Sequence, residues 1–181
     1  MLAKGKTMNQ TNIKSSTVII AEITIFVALA TALSYIKIFT LPQGGSVTAA
    51  SMVPILWLAL RRGAKVGIFA AMVYGVIQLM VEPFIVNPVQ VLLDYPIAFG
   101  SLGLAGFFQK RPFLGINVGV LGRFAAHFVS GIVFFASYAP AGMPPAIYSA
   151  IYNGSYLLPE LVISIYIAYL LQESKVLRIY L

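Results

Sequence analysis

Five ionisable side chains interrupt otherwise apolar segments of the sequence: Glu22, Asp94, Arg123, His127 and Glu160. A charged group inside a long apolar segment is costly unless it is paired or hydrated, so each of these residues is a candidate functional group. A carboxylate beside an imidazole can bind a cation or a hydrogen-bond donor and orient it. Glu22 and Glu160 have no obvious role at this level, and Glu22 could simply reach water.

Helical spacing groups the candidates in the fifth apolar segment. His127, Gly131 and Phe135 recur every four residues, so they share one face of a helix. Arg123 lies one turn before His127, where it could face the far end of a ligand or neutralise Asp94. The structural alternatives are that His127 is a hydrogen-bonded packing residue and that Gly131 is a close-packing position.

Asp94 with Tyr95, and Tyr148 with Asn153, lie in the fourth and sixth apolar segments at the same expected depth as His127. Together these positions predict one polar pocket with aromatic walls, reached from outside. Aromatic faces attract a cation by about 0.5–2 kcal/mol each, and a carboxylate supplies the countercharge. We therefore expect a small heteroaromatic ligand with a positive charge. Alternatively, Asp94 pairs with a neighbouring basic group and Tyr148 belongs to an interfacial aromatic belt.

The composition indicates that these segments lie in a membrane. Of 181 residues, 60% are apolar and 9% are charged, and the mean hydropathy is +0.91. Soluble domains contain roughly 45–50% apolar and about 25% charged residues. We therefore expect an all-α membrane protein. The absence of cysteine and the single histidine argue against disulfides and against a metal site.

Six apolar segments, bounded by charges or by proline and glycine, predict six transmembrane helices. They form one expected ligand-binding domain over residues 17–172, with tails at 1–16 and 173–181. The first segment resembles a signal peptide, but its apolar core is too long, so it is expected to be retained. The segments run at about 17–38, 48–60, 64–80, 88–108, 114–139 and 146–171.

The basic residues predict the orientation, because lysine and arginine in short loops favour the cytoplasmic side. Ten of the 12 lie in the two tails or in the loops after the second and fourth helices. Lys37 lies on the opposite side, and Arg123 lies within a helix. Both termini are therefore expected in the cytoplasm.

Two further features concern the first and second helices. The second segment is too short to span a bilayer alone, so the loop at residues 39–47 before it is a candidate lid over the pocket, or else a surface turn. Thr24, Ala28 and Ala32 form a stripe of small residues on the first helix. The stripe is a candidate docking face for a partner subunit, with internal packing as the alternative.

Several classes of activity lack their sequence signals. The chain has no Gly-x-x-x-x-Gly-Lys-Ser/Thr phosphate loop, so ATP would be used by partner subunits. No nucleophile–base pair stands out, so the chain is not expected to be an enzyme or to carry a cofactor. Its basic residues are scattered between apolar segments and do not predict a nucleic-acid-binding face.

Five motifs together resemble the thiamine-specific substrate-binding subunits (ThiT type) of bacterial energy-coupling factor transporters. The resemblance covers about residues 17–172. The motifs are Leu41–Val47 (LPQGGSV), Arg61–Gly63 (RRG), Leu92–Tyr95 (LLDY), Arg123–Phe135 (RFAAHFVSGIVFF) and Tyr148–Asn153 (YSAIYN).

The resemblance implies a six-helix bundle in the bacterial cell membrane that binds thiamine with high affinity from outside. It implies docking, through Thr24, Ala28 and Ala32, on a shared module made of a transmembrane scaffold subunit and two ATPases. Transport in this family is thought to involve toppling of the binding subunit within the bilayer. Two alternatives stay open: a sibling subunit for another vitamin or a thiamine precursor, and a gradient-driven secondary carrier.

The resemblance also implies a set of ligand-binding residues. In it, Asp94 and Asn153 would bind the aminopyrimidine, three aromatic residues would stack on the rings, and a histidine and an arginine would meet the hydroxyethyl or phosphate end. Asp94 and Phe135 stand where some members have Glu and Trp. The full set is Asp94, Tyr95, Arg123, His127, Gly131, Phe135, Tyr148 and Asn153.

Overall fold

The structure is a computed structural model that describes the backbone of residues 3–174 and the side chains of residues 16–174. Lys175 and Arg178, two of the basic residues that predict the orientation, lie outside the described residues. Within that range, six main helices and one short hairpin follow the apolar segments in order. They are α1 (Ala3–Ser34), β1 (Lys37–Thr40), β2 (Ser46–Thr48), α2 (Val53–Arg62), α3 (Ala64–Val81), α4 (Pro88–Phe108), α5 (Pro112–Phe134) and α6 (Pro145–Glu173).

Five helices in the described part of the chain are long and apolar enough to cross a membrane, namely α1 and α3–α6. The prediction of a helical fold with several helices able to cross a membrane is therefore confirmed. The exception is α2, which has 10 residues and spans about 15 Å, half of the roughly 30 Å hydrocarbon thickness. A sixth span stays a prediction, as do the cytoplasmic termini. Because α1 begins at Ala3, most of the expected N-terminal tail is helical.

A β-hairpin, which the sequence did not predict, precedes α2. Its strands pair antiparallel, with Phe39 opposite Val47, and a 3₁₀ turn at Pro42–Gly44 joins them. Gly44 has a φ of +88°, and Gln43 also has a positive φ of +62°. Such a turn favours glycine because a side chain strains the left-handed backbone. The hairpin lies directly before the short helix α2 in the chain, and the backbone of its two strands is hydrogen-bonded.

Glycine allows α3 and α4 to pack closely. A Cβ placed on Gly103 would collide with the backbone of Ile68. Close helix contact through small residues is typical of membrane proteins, because association there depends on van der Waals packing. Fully buried residues of the surrounding core include Met52, Ile55 and Leu102.

An ion-pair cluster joins α1 to the end of α2. Glu22 Oε2 and Oε1 accept hydrogen bonds from Arg62 Nε (2.5 Å) and Nη2 (2.7 Å), and Arg61 Nη2 lies 3.0 Å from Glu22 Oε1. Glu22 therefore has a structural role that the sequence did not indicate. On the same helix, the stripe of small residues is exposed rather than internally packed: Thr24, Ala28 and Ala32.

Candidate ligand-binding site

A cavity of about 150 Å³ lies between α3–α6 and the hairpin. It is about ten times the minimum volume that one buried water needs. The structure brings together at this cavity all eight residues that the sequence indicated: Asp94, Tyr95, Arg123, His127, Gly131, Phe135, Tyr148 and Asn153. Their ligand contacts stay predictions.

A π-helical turn in α4, over Leu93–Ile97, presents Asp94 to the cavity. Pro96 within this turn has no backbone N–H to donate, and its ring would collide with the carbonyl one turn earlier in a regular helix. The wider turn accommodates the proline, and π turns inside α-helices are frequent at functional sites. Local sequence therefore sets the position of the carboxylate.

Three side chains hold the Asp94 carboxylate. Oδ2 accepts from Gln90 Nε2 (2.7 Å) and from Ser130 Oγ (2.9 Å). Oδ1 lies 2.9 Å from His127 Nδ1. A carboxylate has about four acceptor positions, so one position on Oδ1 is left for a ligand. Gln90 and Ser130 were missed at the sequence level because neither carries charge.

Arg123 sets the tautomer of His127. Arg123 Nε donates to His127 Nε2 at 3.4 Å, so Nε2 is the acceptor and Nδ1–H donates to Asp94. The guanidinium carbon of Arg123 also lies 4.0 Å from the centroid of the Phe99 ring, in a cation–π contact. Arg123 therefore contacts the histidine and an aromatic ring. Of the two roles expected from the sequence, neutralisation of Asp94 and contact with the far end of a ligand, the second stays a prediction.

Asn153 connects α6 to α5. Its Nδ2 donates to Ser149 O (2.9 Å) and to His127 O (3.3 Å), and its Oδ1 accepts from Tyr156 OH (2.9 Å). One acceptor position on Oδ1 stays open. Gly131 makes this approach possible, because a Cβ there would collide with Ser149. Gly131 therefore acts in close packing as well as lining the cavity.

Tyr95 orders the loop between α3 and α4. Its hydroxyl donates to Glu82 O (2.8 Å) and accepts from Phe84 N (2.8 Å). This loop places Phe84 in the cavity lining, where its ring centroid lies 5.8 Å from that of Phe135. Phe84 was missed because it lies outside the apolar segments, in a loop.

Tyr152 fixes the hairpin against the mouth of the cavity. Its hydroxyl donates to Pro42 O and accepts from Gly45 N at 3.0 Å. Its ring centroid lies 5.9 Å from that of Tyr148. The loop that was a candidate lid thus contributes Gln43–Ser46 to the cavity wall. Aromatic residues from α3, α4 and α6, from the loop after α3 and from the end of α5 complete the lining: Tyr74, Phe84, Tyr95, Phe99, Phe135, Tyr148, Tyr152 and Tyr156.

The family model described as thiamine transporter protein (Thia_YuaJ) matches residues 20–179 of the chain. The chain belongs to this family. Two relatives named thiamine transporter ThiT support the assignment. The one from Bacillus subtilis (strain 168) is 36% identical over 78% of this chain and 83% of its own length. The one from Lacticaseibacillus paracasei (strain ATCC 334) is 35% identical over 82% and 83%.

The fold agrees with the sequence relationship. A solved structure of ThiT from Listeria monocytogenes superposes with a TM-score of 0.81 at 25% identity, covering 88% of this chain and 96% of that one. The resemblance to ThiT-type proteins is thereby confirmed. Membership of a transporter family also confirms the prediction that the chain is not an enzyme.

Proposed function

We propose that this chain is the thiamine-binding subunit of an energy-coupling factor importer, and that thiamine binds in the cavity described above. The observation that carries the proposal is the Asp94 carboxylate. His127, Gln90 and Ser130 hold it in place, and it keeps one open acceptor position in a cavity with aromatic walls. The names of the relatives, which specify thiamine transport, support the choice of ligand.

The lining suits the two halves of thiamine. Asp94 and Asn153 each have an acceptor position for the donor groups of the aminopyrimidine. The rings of Phe135, Tyr95 and Tyr148 stack against the ligand. Arg123 and His127 lie toward its hydroxyethyl end.

The charges of the lining favour a cation. Lys37 pairs with Glu82, and the remaining carboxyl groups, Asp94 and Glu160, outnumber the single guanidinium of Arg123. The thiazolium ring carries a positive charge, which the carboxyl groups and the aromatic faces both attract. High affinity follows if most of the ligand becomes buried among these groups.

The partnership with a scaffold subunit and two ATPases is part of the same proposal. It is supported by the lack of a phosphate loop and by the exposed small residues Thr24, Ala28 and Ala32 on α1. In the proposed topology the hairpin and α2 together make the sixth crossing in the cell membrane. Both termini are then cytoplasmic, in line with the basic loops.

The ligand is tested with the full chain, purified in detergent without partners. Thiamine titrated by calorimetry and by quenching of tyrosine and tryptophan fluorescence should bind saturably in the nanomolar range. Other vitamins and thiamine precursors serve as competitors. Well-folded protein that binds a competitor and not thiamine would transfer the assignment to that ligand.

The partnership is tested by uptake into vesicles. Vesicles that contain this chain alone should not accumulate thiamine, whereas added scaffold and ATPase subunits with ATP should restore uptake. Ala28→Trp on the small stripe should abolish uptake and leave binding unchanged. Val162→Trp, on the exposed face of α6, is the matched control and should preserve both. Accumulation by the chain alone would identify a gradient-driven carrier instead.

A further inference from the structure

Glu160 on α6 is a second carboxyl group at the cavity, and the function proposed above does not use its free oxygen. The residue is 2% exposed and lines the cavity. Its Oε1 accepts from Thr48 N (2.5 Å) and Thr48 Oγ1 (2.7 Å). Its Oε2 is buried and has no hydrogen-bond partner among residues 16–174.

The position of Glu160 along α6 places it at the deep end of the cavity. Tyr148, Tyr152, Tyr156 and Glu160 recur every four residues and all line the cavity. Twelve residues separate the first from the last, which is about 18 Å along a helix. Tyr148 lies near the start of α6, so Glu160 is at the opposite end of this stripe, where its carboxyl contacts Thr48 at the end of β2.

Arg123 also lies deeper than His127, one turn short of the depth of Glu160. Asn153 and His127 are level with each other, because Asn153 Nδ2 donates to His127 O. One turn deeper, α5 carries Arg123, and two turns deeper α6 carries Glu160. The deep end of the cavity therefore offers a guanidinium that donates and a carboxyl oxygen that accepts.

A single hydroxyl can satisfy both groups, because it donates one hydrogen and accepts with its lone pairs. A buried polar atom without a partner is rare in proteins and calls for an explanation. Thr48 orients the carboxyl through Oε1, and Oε2 is the oxygen that still lacks a hydrogen-bond partner among the described residues.

We propose that Glu160 is a ligand-binding residue whose Oε2 accepts a hydrogen bond from a donor group at the deep end of bound thiamine. The inference rests on the proposed function and deepens it. With Asp94 on the aminopyrimidine, the donor at the deep end is the hydroxyl of the hydroxyethyl group. The amino group takes this place if the ligand binds in the reverse direction.

Glu160→Gln is the sharpest variant, because its carbonyl oxygen retains both bonds from Thr48 while its amide nitrogen replaces the accepting Oε2 with a donor. We expect the Kd for thiamine, measured by calorimetry on the full chain, to rise about 10- to 150-fold. For a thiamine analogue without the hydroxyl, the Kd values of the variant and the wild type should differ by less than about threefold. An analogue with an oxo group in place of the amino group tests the reverse direction in the same way.

Two control variants separate ligand contact from structure. Glu173→Gln makes the same chemical change at the exposed end of α6 and should leave all affinities unchanged. Thr48→Val removes one hydrogen bond to Oε1 and leaves Oε2 unchanged. It should therefore lower the thermal stability, and it should weaken the binding of thiamine and of both analogues by the same factor.

The outcomes are distinct from those of the proposed function. Wild-type protein that does not bind thiamine refutes the proposed function. Wild-type protein that binds thiamine, with Glu160→Gln weakening all three ligands equally or not at all, overturns the inference alone. If Glu160→Gln weakens thiamine binding but does not weaken the binding of one analogue, the inference is supported. The group that this analogue lacks is then the donor to Oε2. If Glu160→Gln does not fold, Glu160→Asp, which withdraws the carboxyl by one methylene, must show the same selectivity between ligands.

Discussion

Replacement of Asp94 by asparagine is the most direct test of the binding site. Three donors converge on the Asp94 carboxylate, from Gln90 Nε2 at 2.7 Å and from Ser130 Oγ and His127 Nδ1 at 2.9 Å. The amide oxygen of asparagine can accept from two of them. Its NH₂ group must then face the third donor, and no acceptor position is left for a donor group of the ligand.

The size of the effect follows from this geometry. Disruption of one partner in a buried, hydrogen-bonded charge contact costs about 2–5 kcal/mol. At about 1.4 kcal/mol per tenfold change, the Kd for thiamine should rise about 30- to 4,000-fold. Calorimetry on the full chain in detergent measures it, with the thermal unfolding midpoint as a check that the variant is folded.

Glu173→Gln is again the matched control, since it also converts a carboxylate to an amide but lies at an exposed site. Its affinity for thiamine should equal that of the wild type. A folded Asp94→Asn variant that binds thiamine within about threefold of the wild type would refute the assignment of Asp94 as the ligand carboxylate.

Three further variants test the contacts that shape the cavity. Tyr152→Phe removes the two hydrogen bonds to the hairpin turn and should increase proteolytic cleavage at residues 41–47 and speed thiamine release; unchanged rates would contradict the role of this hydroxyl. Gly131→Ala forces a methyl group against Ser149 and should lower the free energy of unfolding by about 1–3 kcal/mol. Chemical denaturation measures this change, and a stability equal to that of the wild type would show that α5 and α6 can move apart without cost. Glu22→Gln weakens the ion pair with Arg62 and should cost about 1.5–3 kcal/mol of stability with no change in thiamine affinity, so a change in affinity would argue against a purely structural role.

The helices could be predicted from sequence because each is an apolar segment with proline, glycine or charge at its ends. Pro88, Pro112 and Pro145 each begin a helix in the structure, as expected for a residue without an N–H at the first helical position. The common depth of Asp94, His127 and Asn153 could also be estimated, because it depends on rise per residue alone.

The hairpin and the Glu22 cluster could not be predicted in this way. Strands of four and three residues are too short to show a clear alternation of apolar and polar side chains. Glu22 meets Arg62 across 40 residues of sequence, so its partner depends on how α1 packs against α2. Tertiary contact, rather than local pattern, decided both features.

The deep end of the cavity was missed although α6 carries a signal for it. In a membrane the apolar face of a helix contacts lipid, so the polar and aromatic face marks the interior. Ile151, Leu158 and Val162 are 59–66% exposed, whereas the stripe from Tyr148 to Glu160 lines the cavity. At four-residue spacing, that stripe extends about 18 Å from Tyr148 to the carboxyl group of Glu160, with Tyr152 and Tyr156 between them. The acceptors Asn153 and Glu160 lie seven residues, or about 10 Å, apart along α6. A cavity with acceptors at two such depths suits an elongated ligand with a donor at each end, and the two donors of thiamine, an amino group and a hydroxyl, meet that requirement.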